Sequence, residues 1–221
     1  KDKLGTRKLP TAELTLDGAQ AAPVAGLSGG VRAVAPMLNV TRTWNAVISA
    51  AGMQRALSLA CDYARRRIAF GTPLAARPLH ADGLAGLEAE REGAFLLAFR
   101  AAALMGRVEA GEASDAERML LRAVTPLAKL TTARQAVQVA SEALECFGGA
   151  GYVEEAPMAR LFRESPLNGI WEGSGNVICL DVLRAAARDP ESVQALLAEI
   201  ALAAGADPRL DRAISDLHAE L

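Results

Sequence analysis

Along most of the chain, hydrophobic residues recur at three- and four-residue spacings, the period of an amphipathic helix rather than a strand. The first such stretch places Trp44, Val47, Ile48, Ala51, Leu57, Ala60, Cys61, Ala64 and Ile68 largely at these spacings. Gly71 and Pro73 punctuate its expected end near Phe70. Pro78 opens a second predicted helix over about 79–109, with Gly111 just beyond its end. Ser114 and Glu117 have the spacing of a capping box, which predicts a third helix from there to about Cys146. Leu120, Val124, Leu127, Leu130, Val137, Ala140 and Leu144 form its apolar face. Pro126 lacks the N–H a helix interior needs, so the pattern predicts a kink, or a break with Thr125 as a second N-cap. A short helix near 158–164, a loop over 165–173, a helix at about 175–187 and two short helices within 190–221 complete the reading.

The opening of the chain follows a different period. After KDKLGTRKLP, residues 11–16 (TAELTL) alternate polar and apolar, which predicts one β-strand ended by Asp17-Gly18. A lone strand before a helical chain has no evident partner, so it reads as the end of a β-domain. A small-residue linker over 18–30 follows. The expected organisation is residues 1–30 as β-domain tail and linker, 31–187 as a helical bundle domain, and 188–221 as additional carboxyl-terminal helices. Three long helices and a shorter fourth predict an all-α fold, an antiparallel four-helix bundle with a short β remnant at the N-terminus.

Composition supports helices. Of the 221 residues 51% are hydrophobic but only 4% aromatic, so alanine and leucine carry most of the apolar surface, and both are strong helix formers. The net charge is −2 with both signs interspersed, and no basic stripe of the kind that binds nucleic acid occurs. No apolar run is long enough to span a bilayer, so neither a nucleic-acid nor a membrane partner is expected. Three cysteines without short spacing predict a reducing, cytoplasmic setting. The only histidines are His80 and His218, and no Glu-x-x-His pair occurs, so a di-iron bundle and any other metal site are not expected.

Three segments could carry chemistry. In Ile170-Trp171-Glu172-Gly173-Ser174-Gly175-Asn176, an acid sits between a large aromatic and glycines on a loop that enters a helix. Burial there would raise its pKa toward that of a general base; the plainer reading is a helix entrance with Ser174 as N-cap. In Phe147-Gly148-Gly149-Ala150-Gly151-Tyr152, glycines after a helix permit close backbone approach to a ligand, or form an ordinary C-cap and turn. In Arg65-Arg66-Arg67-Ile68-Ala69-Phe70-Gly71, arginines at a helix C-terminus offset the helix dipole or reach a phosphate.

In this order and spacing, the Arg-x-x-Phe-Gly helix end, the Phe-Gly-Gly-x-Gly-Tyr turn, the short helix bearing Arg163 and the Trp-Glu-Gly-Ser-Gly-Asn loop resemble acyl-CoA dehydrogenases. ALECFGGAGYVEE and IWEGSGNVICLDVLRA are most similar to the AidB-like branch, and the resemblance covers roughly residues 1–187. It implies that Glu172 is the catalytic base removing the α-proton of an acyl-CoA thioester while a hydride passes from the β-carbon to FAD. Family members that place the base on the first long helix use the position of Thr41, where threonine cannot serve. Arg67, Phe70, Gly148 and Gly149 fall where the family contacts a neighbouring subunit's flavin, and Ser174 and Asn176 where it reaches the flavin diphosphate. Arg42 and Arg184 fall near the substrate and its CoA. The resemblance further implies a homodimer or homotetramer, an electron-transferring flavoprotein as acceptor, and a flavin shared between this bundle and a middle β-domain. Glu145 and Ala150 depart from the glutamine and asparagine common at their positions. The isolated chain is therefore expected to be inactive alone. A helical oligomerisation module and an acyl-CoA oxidase-like flavoenzyme are the competing readings.

Overall fold

The computed structural model describes residues 1–24 and 26–220. Its helices are α1 (Gly30–Arg66), α2 (Pro78–Glu109), α3 (Asp115–Glu145), α4 (Gly149–Tyr152), α5 (Pro157–Glu164), α6 (Gly175–Arg188), α7 (Pro190–Ala201) and α8 (Pro208–Glu220). A two-stranded sheet, β1 (Ile68–Ala69) and β2 (Thr72–Pro73), and 3-10 turns at Leu74–Ala76 and Ser165–Gly169 fill the connections.

The all-α bundle is formed, and its packing clusters reveal its directions. Ala46 and Ala50 of α1 meet Ala98, Ala101 and Leu104 of α2 and Leu120, Val124 and Ala128 of α3. Further along α1, Met53 meets Ala94, Ala136 and Val139, and Ala56 and Ala60 meet Leu84 and Ala143. As α1 numbers rise, α2 numbers fall and α3 numbers rise. α1 and α3 therefore run parallel, with α2 antiparallel to both. α6 and α7 pack on α3 and cover the fourth side. Leu196 of α7 reaches the first cluster, and Arg100 of α2 donates to Glu199 of α7 at 2.6 Å. Alanine dominates the buried seam, which lets the helix axes approach closely.

The capping box forms as expected: Ser114 Oγ accepts from the Glu117 N–H, and the Glu117 carboxylate accepts from the Ser114 N–H at 2.8 Å. These bonds and Arg107 hold the Glu117 carboxyl down at about 2, against a small opposing effect of burial.

Two expectations fail, and of the kink or break expected at Pro126 the break does not occur. Residues 11–16 form no strand; Leu14 and Leu16 are exposed, and the segment is tied by Lys3 Nζ donating to the Leu9 carbonyl and to Thr11 Oγ1 at 2.7 and 2.9 Å. A strand needs a ladder partner, and among the described residues none lies beside it. α3 does not break at Pro126. Pro126 and Thr125 are both buried, and packing there outweighs the roughly 3 kcal/mol a mid-helix proline costs. α1 ends at Arg66 rather than near Phe70, because residues 68–73 turn back as a hairpin.

Among the described residues no helix is long and apolar enough to cross a membrane.

Candidate active site

Among the described residues, Glu172 is one of three non-glycine residues with positive φ (54°), and Gly173 follows with φ 109°. Left-handed backbone at a glutamate is strained by about 1–3 kcal/mol and persists only where surroundings impose it. Here they do so at three points. Arg42 Nε donates to the Glu172 carbonyl at 3.1 Å, Lys129 Nζ donates to the Gly173 carbonyl, and Asn45 Nδ2 donates to Glu172 Oε2 at 2.7 Å. Asn45 and Lys129 are buried, at 2% and 1% exposure, on the facing sides of α1 and α3. Glycine is favoured at 173, since any side chain is strained at φ 109° and a Cβ there would lie 3.1 Å from Ile178 Cδ1.

The clamp is anchored by charge. Arg42 Nη1 and Arg122 Nη2 donate to the two oxygens of Asp181 on α6, at 2.7 and 3.1 Å. Burial pushes the Asp181 carboxyl up, but the Arg122 and Arg42 hydrogen bonds and charges outweigh it and hold the group below the usual carboxylate range. Burial pushes the Lys129 ammonium down, partly offset by the Glu172 charge, while Arg42 adds to the lowering.

Beside the clamp, α1, α3 and the turn before Glu172 enclose a cavity of about 270 Å³. Ile48, Ala136, Ala140, Leu161, Leu167 and Trp171 supply its apolar wall. Ser49 bridges cavity and clamp, since it lines the former and its Oγ donates to the Asn45 carbonyl at 2.8 Å.

The residues proposed from the sequence fall into two groups. Glu172, Ser174, Asn176, Arg42 and Arg184 gather at one region of the bundle. Ser174 and Asn176 are exposed at the start of α6, which has no acid in its first turn. Its N–H groups, with the Arg134 guanidinium beside Gly175, make an anion-favouring end. Arg42 is committed to Asp181 and the Glu172 carbonyl, whereas Arg184 is exposed and only 3.9 Å from Asp181. Arg67, Phe70, Gly148 and Gly149 form the second group. Tyr63 stacks on Phe147 with centroids 4.4 Å apart, bringing the end of α1 beside the glycine turn. Asn45 and Tyr63 are 18 residues apart on α1, about 27 Å at 1.5 Å per residue. One chain therefore does not bring the two groups together.

In the second group, Phe70 (φ 52°) and Gly71 (φ 84°) are the central residues of a two-residue hairpin with both φ positive. Arg77 Nη2 braces it by donating to the Ala69 and Phe70 carbonyls at 2.9 and 2.6 Å. The Phe70 ring is left 96% exposed. Gly148 (φ 58°) has open space where a Cβ would be.

Asn45, Lys129 and Asp181 were not singled out by sequence reasoning. The available signal was polarity on an apolar helical face: Lys129 falls between the buried Ala128 and Thr132, and Asp181 lies in the run Ile178-Cys179-Leu180-Asp181-Val182-Leu183. Among the described residues no group of three or more metal-ligating side chains assembles.

The family profile described as "Acyl-CoA dehydrogenase, C-terminal domain" matches residues 28–187. The chain belongs to the acyl-CoA dehydrogenase family. Acyl-CoA dehydrogenase family member 11 of Caenorhabditis elegans is 49% identical over 83% of the chain and 30% of its own length. The putative acyl-CoA dehydrogenase AidB of Escherichia coli (strain K12) is 38% identical over 100% of the chain and 40% of its own length. Among solved structures, C. elegans ACDH-11 in complex with C11-CoA superposes with a TM-score of 0.89 at 43% identity, over 95% of this chain and 36% of that one. These matches place the chain with the AidB-like members, and it spans less than half the length of these relatives.

Proposed function

We propose that this chain is the catalytic helical part of a flavin-dependent dehydrogenase that introduces an α,β double bond into an acyl-CoA thioester. The observation that carries this reading is the strained, clamped Glu172. Its Oε2 is tied by Asn45, and among the described residues Oε1 has no hydrogen-bond donor and stays available for a proton. A carboxylate fixed in this way is suited to general-base work, where geometry decides before basicity does. Glu172 takes the α-proton, and the electron pair of the broken Cα–H bond becomes the second bond between Cα and Cβ as a hydride leaves the β-carbon. The acyl chain takes the apolar cavity beside Trp171, a reading supported by the C11-CoA held by ACDH-11.

The residues fit FAD. The acid-free start of α6, with Ser174, Asn176 and Arg134, suits a diphosphate, and exposed Phe70 and Arg67 with the open Gly148–Gly149 turn suit the cofactor of a neighbouring subunit. When bound, the flavin supplies the hydride acceptor. The separation of about 27 Å between the two groups favours this division between subunits, and hence a homodimer or homotetramer. In this scheme residues 1–30 are the tail of the middle β-domain and its linker, 31–187 the bundle domain and 188–221 additional helices. Arg184 lies on the CoA side, Arg42 acts through the Glu172 backbone, and an electron-transferring flavoprotein reoxidises the enzyme in a reducing cytoplasm.

The test is Glu172→Gln in the flavin-loaded protein with an acyl-CoA substrate. Loss of a positioned base predicts a fall in flavin bleaching of 10²–10⁴-fold or more, with acyl-CoA binding retained. Unchanged bleaching sinks the assignment.

A further inference from the structure

The apolar cavity has one wall that an unadorned alkyl chain does not explain. Asn168, on the 3-10 turn four residues before Glu172, lines the cavity at only 7% exposure. Among the described residues its carboxamide makes no hydrogen bond, whereas Ser49 Oγ donates to the Asn45 carbonyl and Ser165 Oγ to the Phe162 carbonyl. The Trp171 indole N–H, in the same wall, is buried and also reaches no acceptor. An alkyl chain filling the cavity would strip solvent from this carboxamide and leave it unpaired, which is costly. Beside Ile48, Ala136, Ala140 and Leu161, a ligand that carries its own polar group restores a partner to it. Asparagine both donates and accepts, and a hydroxyl is the small group that does the same in return.

We propose that the cavity selects acyl chains bearing a hydroxyl group along the chain, which pairs with the Asn168 carboxamide. This rests on the acyl-CoA reading above and narrows its substrate class. Asn168 would then be a specificity determinant rather than a participant in proton transfer. Glu172 meets the thioester end of the same molecule and Asn168 its chain.

The test uses the intrinsic fluorescence of Trp171, which lines the cavity, in a Trp44→Phe background that removes the only other tryptophan. Undecanoyl-CoA is titrated beside its ω-hydroxy and mid-chain hydroxy derivatives, and flavin bleaching by each ester is recorded on the flavin-loaded protein. One hydroxylated ester is expected to bind about ten-fold tighter than the plain one, the ratio that a single well-made buried hydrogen bond supports. Asn168→Leu is expected to abolish that ratio while binding the plain ester at least as well, and Asn168→Ser, which keeps a hydroxyl, to retain part of it. A ratio near one in the parent protein, or a ratio unchanged in Asn168→Leu, overturns the inference. If plain esters alone bind and bleach the flavin, the dehydrogenase reading stands and the hydroxyl preference falls. If the hydroxylated ester binds selectively but nothing bleaches, the site stands and the dehydrogenase reading falls. If no ester binds, both fall.

Discussion

The two groups of candidate residues are built in opposite ways. Around Glu172, polar contacts are internal: Asn45, Arg42 and Lys129 each reach the loop from buried or half-buried helical positions, and Asp181 fixes Arg42 in turn. Around Phe70 and Gly148, the backbone is also bent to positive φ, but the ring and the glycines face outward. Backbone strain alone therefore does not distinguish the internally clamped loop from the outward-facing hairpin. What distinguishes them is where the constraining groups come from. The first site is held by its own chain, so substitutions there should register in the isolated protein. The second leaves its groups facing outward, so under the proposed function substitutions there should register only in assembly or cofactor retention.

The largest effect on stability should come from Asp181→Asn. It leaves two guanidinium groups, Arg42 and Arg122, facing an uncharged partner at side-chain exposures of 11% and 28%. Breaking a fully buried pair costs 3–5 kcal/mol, and the residual exposure here lowers that to about 2 kcal/mol. The pH dependence sharpens the test. The folded Asp181 carboxyl lies below its unfolded value of about 3.9, so its contribution is complete above that pH and is lost as pH falls through the folded value. Urea midpoints of the parent and variant should thus differ at pH 7 and converge in strong acid. A constant difference across that range would mean that Asp181 acts through packing rather than charge.

The contrast also explains what the sequence revealed. Helix positions were legible because alanine and leucine recur at helical spacing and Ser114 with Glu117 marks a start that propensity and capping both favour. Glu172 was singled out because the Trp-Glu-Gly-Ser-Gly-Asn loop, in order and spacing with three other motifs, resembles acyl-CoA dehydrogenases; residue types alone favoured a plain helix entrance. The groups that hold it were not, because Asn45 and Lys129 lie 127 and 43 residues away in the chain and act through geometry that only packing creates. The TAELTL alternation misled because period two reports a chain able to pair, not a chain with a partner. At Pro126 the helix continues rather than breaks, since local propensity yielded to the burial around it.

Next in size are the glycines. Gly173→Ala must strain the backbone at φ 109° and press a methyl to 3.1 Å from Ile178 Cδ1, whereas Gly148→Ala strains the backbone at φ 58° into open space. The first should cost about 1.5 kcal/mol and the second about 1 kcal/mol. Thermal unfolding of the two variants side by side checks the order. Equal losses would remove the claim that the Glu172 loop is the more tightly enclosed of the two.

The smallest effect on folding should come from Phe70→Ala. The ring is 96% exposed, and among the described residues its one aromatic interaction is with the Arg77 guanidinium, 5.8 Å from the ring centroid. Such an exposed cation–π contact is worth about 0.5–1 kcal/mol, and Arg77 keeps its bonds to the hairpin carbonyls whatever side chain stands at 70. Alanine accepts the positive φ of 52° no better than phenylalanine, so backbone strain is unchanged. The unfolding midpoint should therefore shift by no more than that small contact, while flavin retention through gel filtration of the assembled protein should fall. That split is the signature of a residue completed by a neighbour. A large drop in the monomer's own stability would move Phe70 into the core of its chain, and the division between an internally held site and an outward-facing one would collapse.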